Sequence, residues 1–422
     1  MTEDIQDNKK LSNKQAQKNK LETIGSILII GGGIAGVQSA LDLADSGFKV
    51  YLLDRSTSIG GVMAALDKTF PTNDCSMCIL SPKLVEAGRH QNIKLLMNSE
   101  VTGLSGEAGN FKINILTHPR YIDPEKCTGC GQCASKCPTK VPNEFDCGLT
   151  MRKAIYVPFP QAVPLIYAID AEHCRYLIKG KCGVCAKICK AEAIDYEQEP
   201  DEFFIDVGSI IVAPGFQAFD PTGLKELGYE QFPNVVTALE FERILSATGP
   251  TKGHVLRFSD DEPPKRIAFI QCVGSRNAQL GNEYCSSVCC MYAIKEAIIA
   301  QEHADDLKAT IFFMDIRAFG KEFDDYYLRA QDKYGIEFIR SRVASIGQDP
   351  ETKNLILRYS QENDVISERE FDMVVLSVGL QPPKDTEKIK SVLGIDLDED
   401  DFCNTSLFSP METSKPGIFA CG

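Results

Sequence analysis

The chain has 422 residues, 43% hydrophobic and 25% charged, an ordinary globular balance with length for two or three domains. Its net charge of −14 argues against a nucleic-acid surface. No apolar run approaches the ~18 residues of a membrane span, so no transmembrane segment and a cytoplasmic location are expected.

Residues 1–24 are polar and rich in Lys, Asn and Gln, and read as a disordered tail. From Ser26 the text changes to strand, glycine turn, helix, strand: "SILIIGGGIAGVQSALDLADSGFKVYLLD". The turn is Gly31-x-Gly33-x-x-Gly36, and Asp54 closes the second strand 18 residues after Gly36. Gly31 makes the tight turn, Gly33 lets backbone approach a pyrophosphate, and Gly36 lets helix pack on strand. Asp54 stands where a ribose hydroxyl needs an acceptor. The pair Gly60 and Gly61 in "RSTSIGG" is typical of flavoproteins with two dinucleotide-binding units, and tilts the cofactor from NAD to FAD. Next, "DCSMC" places Cys75 and Cys78 as Cys-x-x-Cys. Two thiols cannot complete a four-thiolate site, so buried structural cysteines and ligands to a cluster completed elsewhere both stay open.

Seventeen cysteines is the outlying number in the composition, and most lie beyond Cys78. At about residue 119 the nucleotide unit is interrupted by "CTGCGQCASKCP", that is Cys127-x2-Cys130-x2-Cys133-x3-Cys137-Pro138. This is the bacterial ferredoxin run, in which three close thiolates hold one cubane and the fourth serves the other. A second run, Cys174-x7-Cys182-x2-Cys185-x3-Cys189, has its first gap widened by five residues and Lys190 in place of proline. By the cross-ligation rule, Cys127, Cys130, Cys133 and Cys189 hold one [4Fe–4S] cluster, and Cys137, Cys174, Cys182 and Cys185 the other.

The nucleotide unit resumes with "FFIDVGSIIVAPGF", ending in Ala213-Pro214-Gly215, and "FDMVVLSVGLQPP" has the same strand-plus-glycine shape. Between them, "RIAFIQCVGSRNAQLGNEYCSSVCCMYAIKEA" (266–297) opens like a second nucleotide unit. Its turn holds one glycine, Gly274, and no GxGxxG, so NAD(P)H binding is expected to be lost. Cys272, Cys285, Cys289 and Cys290 lie there instead. Four thiolates are what a cubane needs, and a third cluster is expected where the nicotinamide cofactor would sit. The final "KPGIFACG" looks like the start of the last FAD-contact segment and stops in mid-motif, so a C-terminal truncation is expected. The expected division is 1–24 tail; 25–118 FAD-binding domain, first part; 119–200 ferredoxin insert; 201–262 FAD-binding domain, second part; 263–380 degenerate NAD(P)-type domain; 381–422 return to the FAD-binding domain.

The stretches "GGGIAGVQSALDLADSG", "DCSMCILSPKLVE", "CTGCGQCASKCP", "VPNEF", "RKAIYVPFPQAVP", "KGKCGVC", "CVGSR" and "YCSSVCCMYAIK" together resemble the family of heterodisulfide reductase A subunits, over essentially Ser26–Gly422. The resemblance implies an α/β, thioredoxin-reductase-like flavoprotein with two dinucleotide-binding (Rossmann-like) domains and an inserted α+β bacterial 2[4Fe–4S] ferredoxin domain. It implies FAD, several [4Fe–4S] clusters, and an oxidoreductase role beside B and C type subunits, a hydrogenase or formate dehydrogenase module, and ferredoxin. A homodimer is also possible for such a protein. By the same resemblance, Cys272, Cys285, Cys289 and Cys290 hold the cluster beside the flavin, and Lys295 approaches the flavin N5. On residues alone, Lys295 is a cation one and a half turns past a cluster helix start. Electron bifurcation between ferredoxin and a disulfide-reducing partner is the function this implies. A non-bifurcating adaptor between a dehydrogenase or hydrogenase and a quinone-linked or other acceptor is the alternative. A scaffold that only docks subunits is disfavoured by eight ferredoxin-type ligands.

Overall fold

The computed structural model describes residues 23–361 and 365–421; positions 1–22 of the expected tail lie outside the described residues. Two sheets of the same design organise the chain. In the first, five parallel strands run in the order Ile418–Ala420, Ser209–Val212, Ser26–Ile30, Lys49–Asp54, Ile93–Met97. In the second, the order is Val235–Thr237, Met373–Val378, Arg266–Val273, Lys308–Phe313, Glu337–Arg340, again all parallel. Each carries a three-stranded antiparallel meander: Asp201–Val207, Asn110–Thr117 and Ser99–Glu107 on the first, Val343–Gln348, Leu355–Ser360 and Ile366–Phe371 on the second. Parallel strands are covered on both faces, which is why "SILII" and "MVVLSV" are apolar almost throughout and fully buried.

The two crossings between the units meet as a short ladder, Gln217–Ala218 against Leu380–Gln381. The strands before them, Ser209–Val212 and Met373–Val378, are the apolar runs that end at Gly215 and Gly379. The second unit starts earlier than the sequence boundary at 263. Val235–Thr237 pairs with Met373–Val378, and helix Ala238–Leu245 buries Phe241, Ile244 and Leu245 in the second unit's core. The helix is held at its start by a capping box, with Glu240 accepting from the Thr237 N–H and Thr237 Oγ1 accepting from the Glu240 N–H. Its residues therefore belong with the second unit, not with the FAD unit.

The insert leaves and re-enters the first unit between neighbouring strands. Thr117 and Asp201 are directly paired across the meander, so the ends of the excursion are held together whatever lies between. Inside it, the hairpin Ile155–Tyr156 with Ala168–Ile169 and the bridge Ile122 to Ile194 frame two short helices, Gln132–Lys136 and Val184–Ile188. Each helix follows a left-handed glycine, Gly131 (φ 75°) and Gly183 (φ 74°). The insert is fastened to both units. Arg243 from the second unit is 1% exposed and donates to Asp146 of the insert (3.0 Å) and to the Ala65 carbonyl of the first unit (2.9 Å).

Candidate functional site

The first glycine turn has the shape of a pyrophosphate cradle. A Cβ on Gly31 (φ +113°) would stand 1.9 Å from the Ala213 carbonyl oxygen, and one on Gly36 would stand 1.9 Å from that of Gly31. Only glycine permits both approaches. A Cβ on Gly33 would meet nothing within 4 Å, and Gly33 is the N-cap of helix Ile34–Asp45 with no side chain capping it. An open space at an uncapped helix N-terminus, framed by two close backbone contacts, fits an anionic pyrophosphate. Gly60 and Gly61 back this turn: the Gly60 N–H donates to the Gly32 carbonyl (2.8 Å), and a Cβ on Gly61 would strike the Gly33 Cα at 2.8 Å. Asp54 accepts from the Gly32 N–H (2.6 Å) and from Ser56, and lines an open cleft with Gly31, Ser99 and Lys388. It thus braces the turn while facing the space where a ribose would lie. Gly215 (φ +71°) turns the chain from Ala213 towards Phe216.

A second, roomier cavity opens between the two units. Val62 and Leu66 line it from the first unit, Phe216 and Leu380 from the crossings, and Tyr292, Lys295 and Glu296 from helix Cys289–His303. Its wall is apolar except at one end. There Lys295, 1% exposed, forms an ion pair with Glu242, while Glu242 also accepts from the Asp67 N–H (2.9 Å). Burial pushes the Lys295 ammonium down to about 8, against the pull of Glu296 and Asp67. Burial pushes Glu296 up to about 8 and raises Asp67 as well. Sequence reasoning singled out Lys295 but missed Glu242, Glu296, Asp67 and Tyr292. The one sequence cue for Glu242 was the capping box "TALE", which marks its helix.

At the end of strand Arg266–Val273, where a nicotinamide cofactor's pyrophosphate would approach, the space is filled. A Cβ on Gly274 would fall 2.1 Å from the Phe219 ring. Residues 274–288 form a long loop before the helix, where the first unit needs only 31–33. Ser275 and Ser286 tie that loop together, and the Ser286 hydroxyl accepts from the Leu380 N–H (2.8 Å). Cys272, at a bulge with φ +59°, Cys285 in the loop, and Cys289 and Cys290 at the helix start lie close enough for their charges to act on one another. Burial raises Cys272 to about 11 and Cys289 to about 12, and the neighbouring thiols of the set push each further. Cys289 Sγ and the Tyr292 hydroxyl both reach the Val378 carbonyl, at 3.6 and 2.6 Å. Tyr292 and Val378 also line the large cavity, so the thiol group and the cavity share a wall.

In the insert, Cys137, Cys174, Cys182 and Cys185 line one small pocket. Cys133 lies near Cys127 and Cys130, whose charges raise it along with its burial, to about 11. Cys127, Cys133 and Cys189 share the insert's apolar core with Ile122, Ile155 and Ile169. Tyr196 stacks on Tyr176 (3.8 Å) and its hydroxyl meets Cys185 Sγ at 2.9 Å. Among the described residues no three His, Cys, Asp or Glu side chains converge as the ligands of a single ion would. Cubane ligands bind separate iron atoms and stand wider apart. Cys75 and Cys78 are both exposed, which removes the buried-structural reading; Cys75 Sγ accepts from the Cys78 N–H at 3.2 Å at the start of helix Ser76–Arg89.

The model for "Pyridine nucleotide-disulphide oxidoreductase" matches residues 25–127 and 168–422. The chain belongs to that family. The model for "4Fe-4S binding domain" matches 120–143, which contains the first cysteine run. The chain is 48% identical over 411 residues to the A subunit of the H(2):CoB-CoM heterodisulfide,ferredoxin reductase of Methanothermobacter thermautotrophicus, covering 96% of this chain and 61% of that protein. It is 52% identical over 400 residues to the A subunit of the H(2)/formate:CoB-CoM heterodisulfide,ferredoxin reductase of Methanococcus maripaludis, covering 94% and 60%. The chain thus spans about 61% of the length of the relatives it matches, and the resemblance to heterodisulfide reductase A subunits holds over nearly all of it. Thioredoxin reductase of Lactococcus lactis superposes with a TM-score of 0.50 at 18% identity, covering 94% of this chain and 89% of that one, which supports the fold. This family member is therefore an oxidoreductase of α/β two-dinucleotide-domain fold, with a flavin site and a [4Fe–4S] insert. Among the described residues no helix is long and apolar enough to cross a membrane.

Proposed function

We propose that this chain is the FAD and iron–sulfur electron-transfer subunit of a heterodisulfide-reductase-like assembly. The observation that carries the reading is the shared wall: Tyr292 and Val378 lie between the four-thiol group and the inter-unit cavity. In this reading Gly31, Gly33, Gly36, Gly60, Gly61, Ala213 and Gly215 shape the FAD cradle, with Asp54 at the ribose. Cys127, Cys130, Cys133 and Cys189 hold one cluster, Cys137, Cys174, Cys182 and Cys185 a second, and Cys272, Cys285, Cys289 and Cys290 a third. Bound FAD supplies exchange of an electron pair, and each cluster carries single electrons.

The chain's own residues do the rest. With FAD bound, the largely apolar cavity walls would exclude water, and Lys295, held by Glu242, would present a buried cation to the ring. Burial holds the Cys272 and Cys289 thiols protonated, so cluster assembly there would release protons. The working division is a first FAD part to 118, the insert over 119–200, and a second unit that no longer takes NAD(P)H.

The printed names of the relatives, which include ferredoxin, H(2) and formate, support partners of those kinds; B and C type subunits, a second copy of the chain and a cytoplasmic setting belong to the proposal through the resemblance alone. The finer reading is that electron pairs are split at the flavin. An anaerobic potentiometric titration of the flavin tests it. Bifurcation predicts two one-electron potentials that are strongly crossed. Potentials in the ordinary order would favour the plain adaptor.

A further inference from the structure

Glu296 is a buried titratable group of the inter-unit cavity that the proposed function does not use. It is 1% exposed, it lines the cavity, and neither carboxyl oxygen has a hydrogen-bond partner. A buried carboxyl without partners is costly, and more so when ionised. Such a group is retained where something in the cavity completes it, or where it carries a proton.

The surrounding charges point to the proton. From its own helix Glu296 is faced by Lys295 and by Tyr292, whose hydroxyl burial and the nearby thiol keep protonated. Helix Ala238–Leu245 contributes Glu242, which takes the Lys295 ammonium. It also carries Arg243, which is turned to Asp146. The segment after Leu66 adds Asp67 and Lys68, and Lys68 leans towards Glu302 at 3.6 Å. The crossings contribute only Phe216, Ala218, Val378 and Leu380. Three carboxyls thus gather round one buried ammonium that is already paired. Glu296, the deepest of the three and the one with both oxygens buried and unpartnered, is the cheapest to neutralise by protonation.

We propose that Glu296 is a proton-holding residue of the flavin cavity: a neutral carboxylic acid that donates its hydrogen bond to the polar edge of the ring bound there. It then offers the ring a donor with no charge, beside the cation of Lys295. Above the pH at which it ionises, it would set a negative charge against any negative charge gained by the ring on reduction. The inference rests on the assignment of this cavity to the flavin.

The test uses the full chain, loaded anaerobically with FAD and iron–sulfur clusters, as wild type and as Glu296→Gln and Glu242→Gln. Infrared spectra report a protonated carboxyl directly, with or without FAD. Its C=O band is expected in wild type and in Glu242→Gln and is expected to vanish in Glu296→Gln. Glutamine mimics the neutral acid, so the flavin midpoint potentials of wild type and Glu296→Gln should agree below about pH 8 and separate above it, with wild type the lower. No carboxyl band in wild type, or potentials offset equally at every pH, would overturn the proposal and leave the cavity assignment standing. A band that vanishes with Glu296→Gln while the potentials agree at every pH would overturn the cavity assignment, and with it this role. Should Glu296→Gln fail to fold, the wild-type band and its loss on raising the pH through about 8 still decide the protonation.

Discussion

Arg243 and Glu296 lie one helix apart and show opposite ways of keeping a charge-bearing group out of water. Each of Arg243's three side-chain nitrogens is bonded: they donate to Asp146, the Ala65 carbonyl and Thr248, and the Phe145 ring lies 4.5 Å from the guanidinium carbon. Replacing it with methionine leaves Asp146 buried with only Asn143 and Thr150 as donors, and is expected to cost about 3–5 kcal/mol in urea unfolding. Adding Asp146→Asn should recover part of that loss. Glu296 is expected to do the reverse. Its folded value is raised from 4.5 to about 8, so between those limits the native chain holds a proton that the unfolded chain has released. Its contribution to stability therefore falls as pH rises from about 4.5 to about 8 and is level above that. Glu296→Gln should remove this slope: its melting temperature should exceed that of wild type by more at pH 8 than at pH 5, both values being about the ends of that window. The bonds from Arg243 to Asp146 and Ala65 could not be read from the sequence, because those partners come from other units and a charged residue in an amphipathic helix normally faces solvent. Arg243 and Glu242 sit in "ALEFERIL", whose polar positions are buried only because two units close over them.

Among the elements, the first glycine turn was the most legible, since each glycine answers a backbone contact that forbids a side chain. The contacts separate two effects that sequence alone merges. Gly36→Ala puts a methyl 1.9 Å from the Gly31 carbonyl and should damage the fold of the turn itself, lowering the melting temperature even without FAD. Gly33→Ala meets no protein atom, so the FAD-free chain should melt as wild type while FAD affinity drops at least ~10-fold, about 1.4 kcal/mol. The turn after strand Arg266–Val273 was legible as a loss, from one glycine where three are needed. What fills it was not. Phe219 comes from the crossing segment, and no local pattern announces that its ring covers Gly274. Helix Ala238–Leu245 was placed in the wrong unit for a similar reason: no glycine or proline lies between Val235 and Ala247 to mark a boundary, and only the strand pairing to Met373–Val378 decides it.

At the scale of the whole molecule, the chain is one α/β design used twice, with a cysteine-rich excursion spliced into the first copy. The duplication was only half visible, because the second copy keeps the strands and discards the phosphate turn. In its place stands a set of four thiols that share a wall with the cavity between the copies. The account predicts that this set binds iron. The most direct measurement is anaerobic iron, sulfide and flavin quantitation on the reconstituted chain, with Cys289→Ser beside it. About twelve irons per FAD in wild type, falling by about four in the variant, is the expected result. About eight in both would contradict it: only the insert would then carry clusters, and Cys272, Cys285, Cys289 and Cys290 would be thiols of the fold alone.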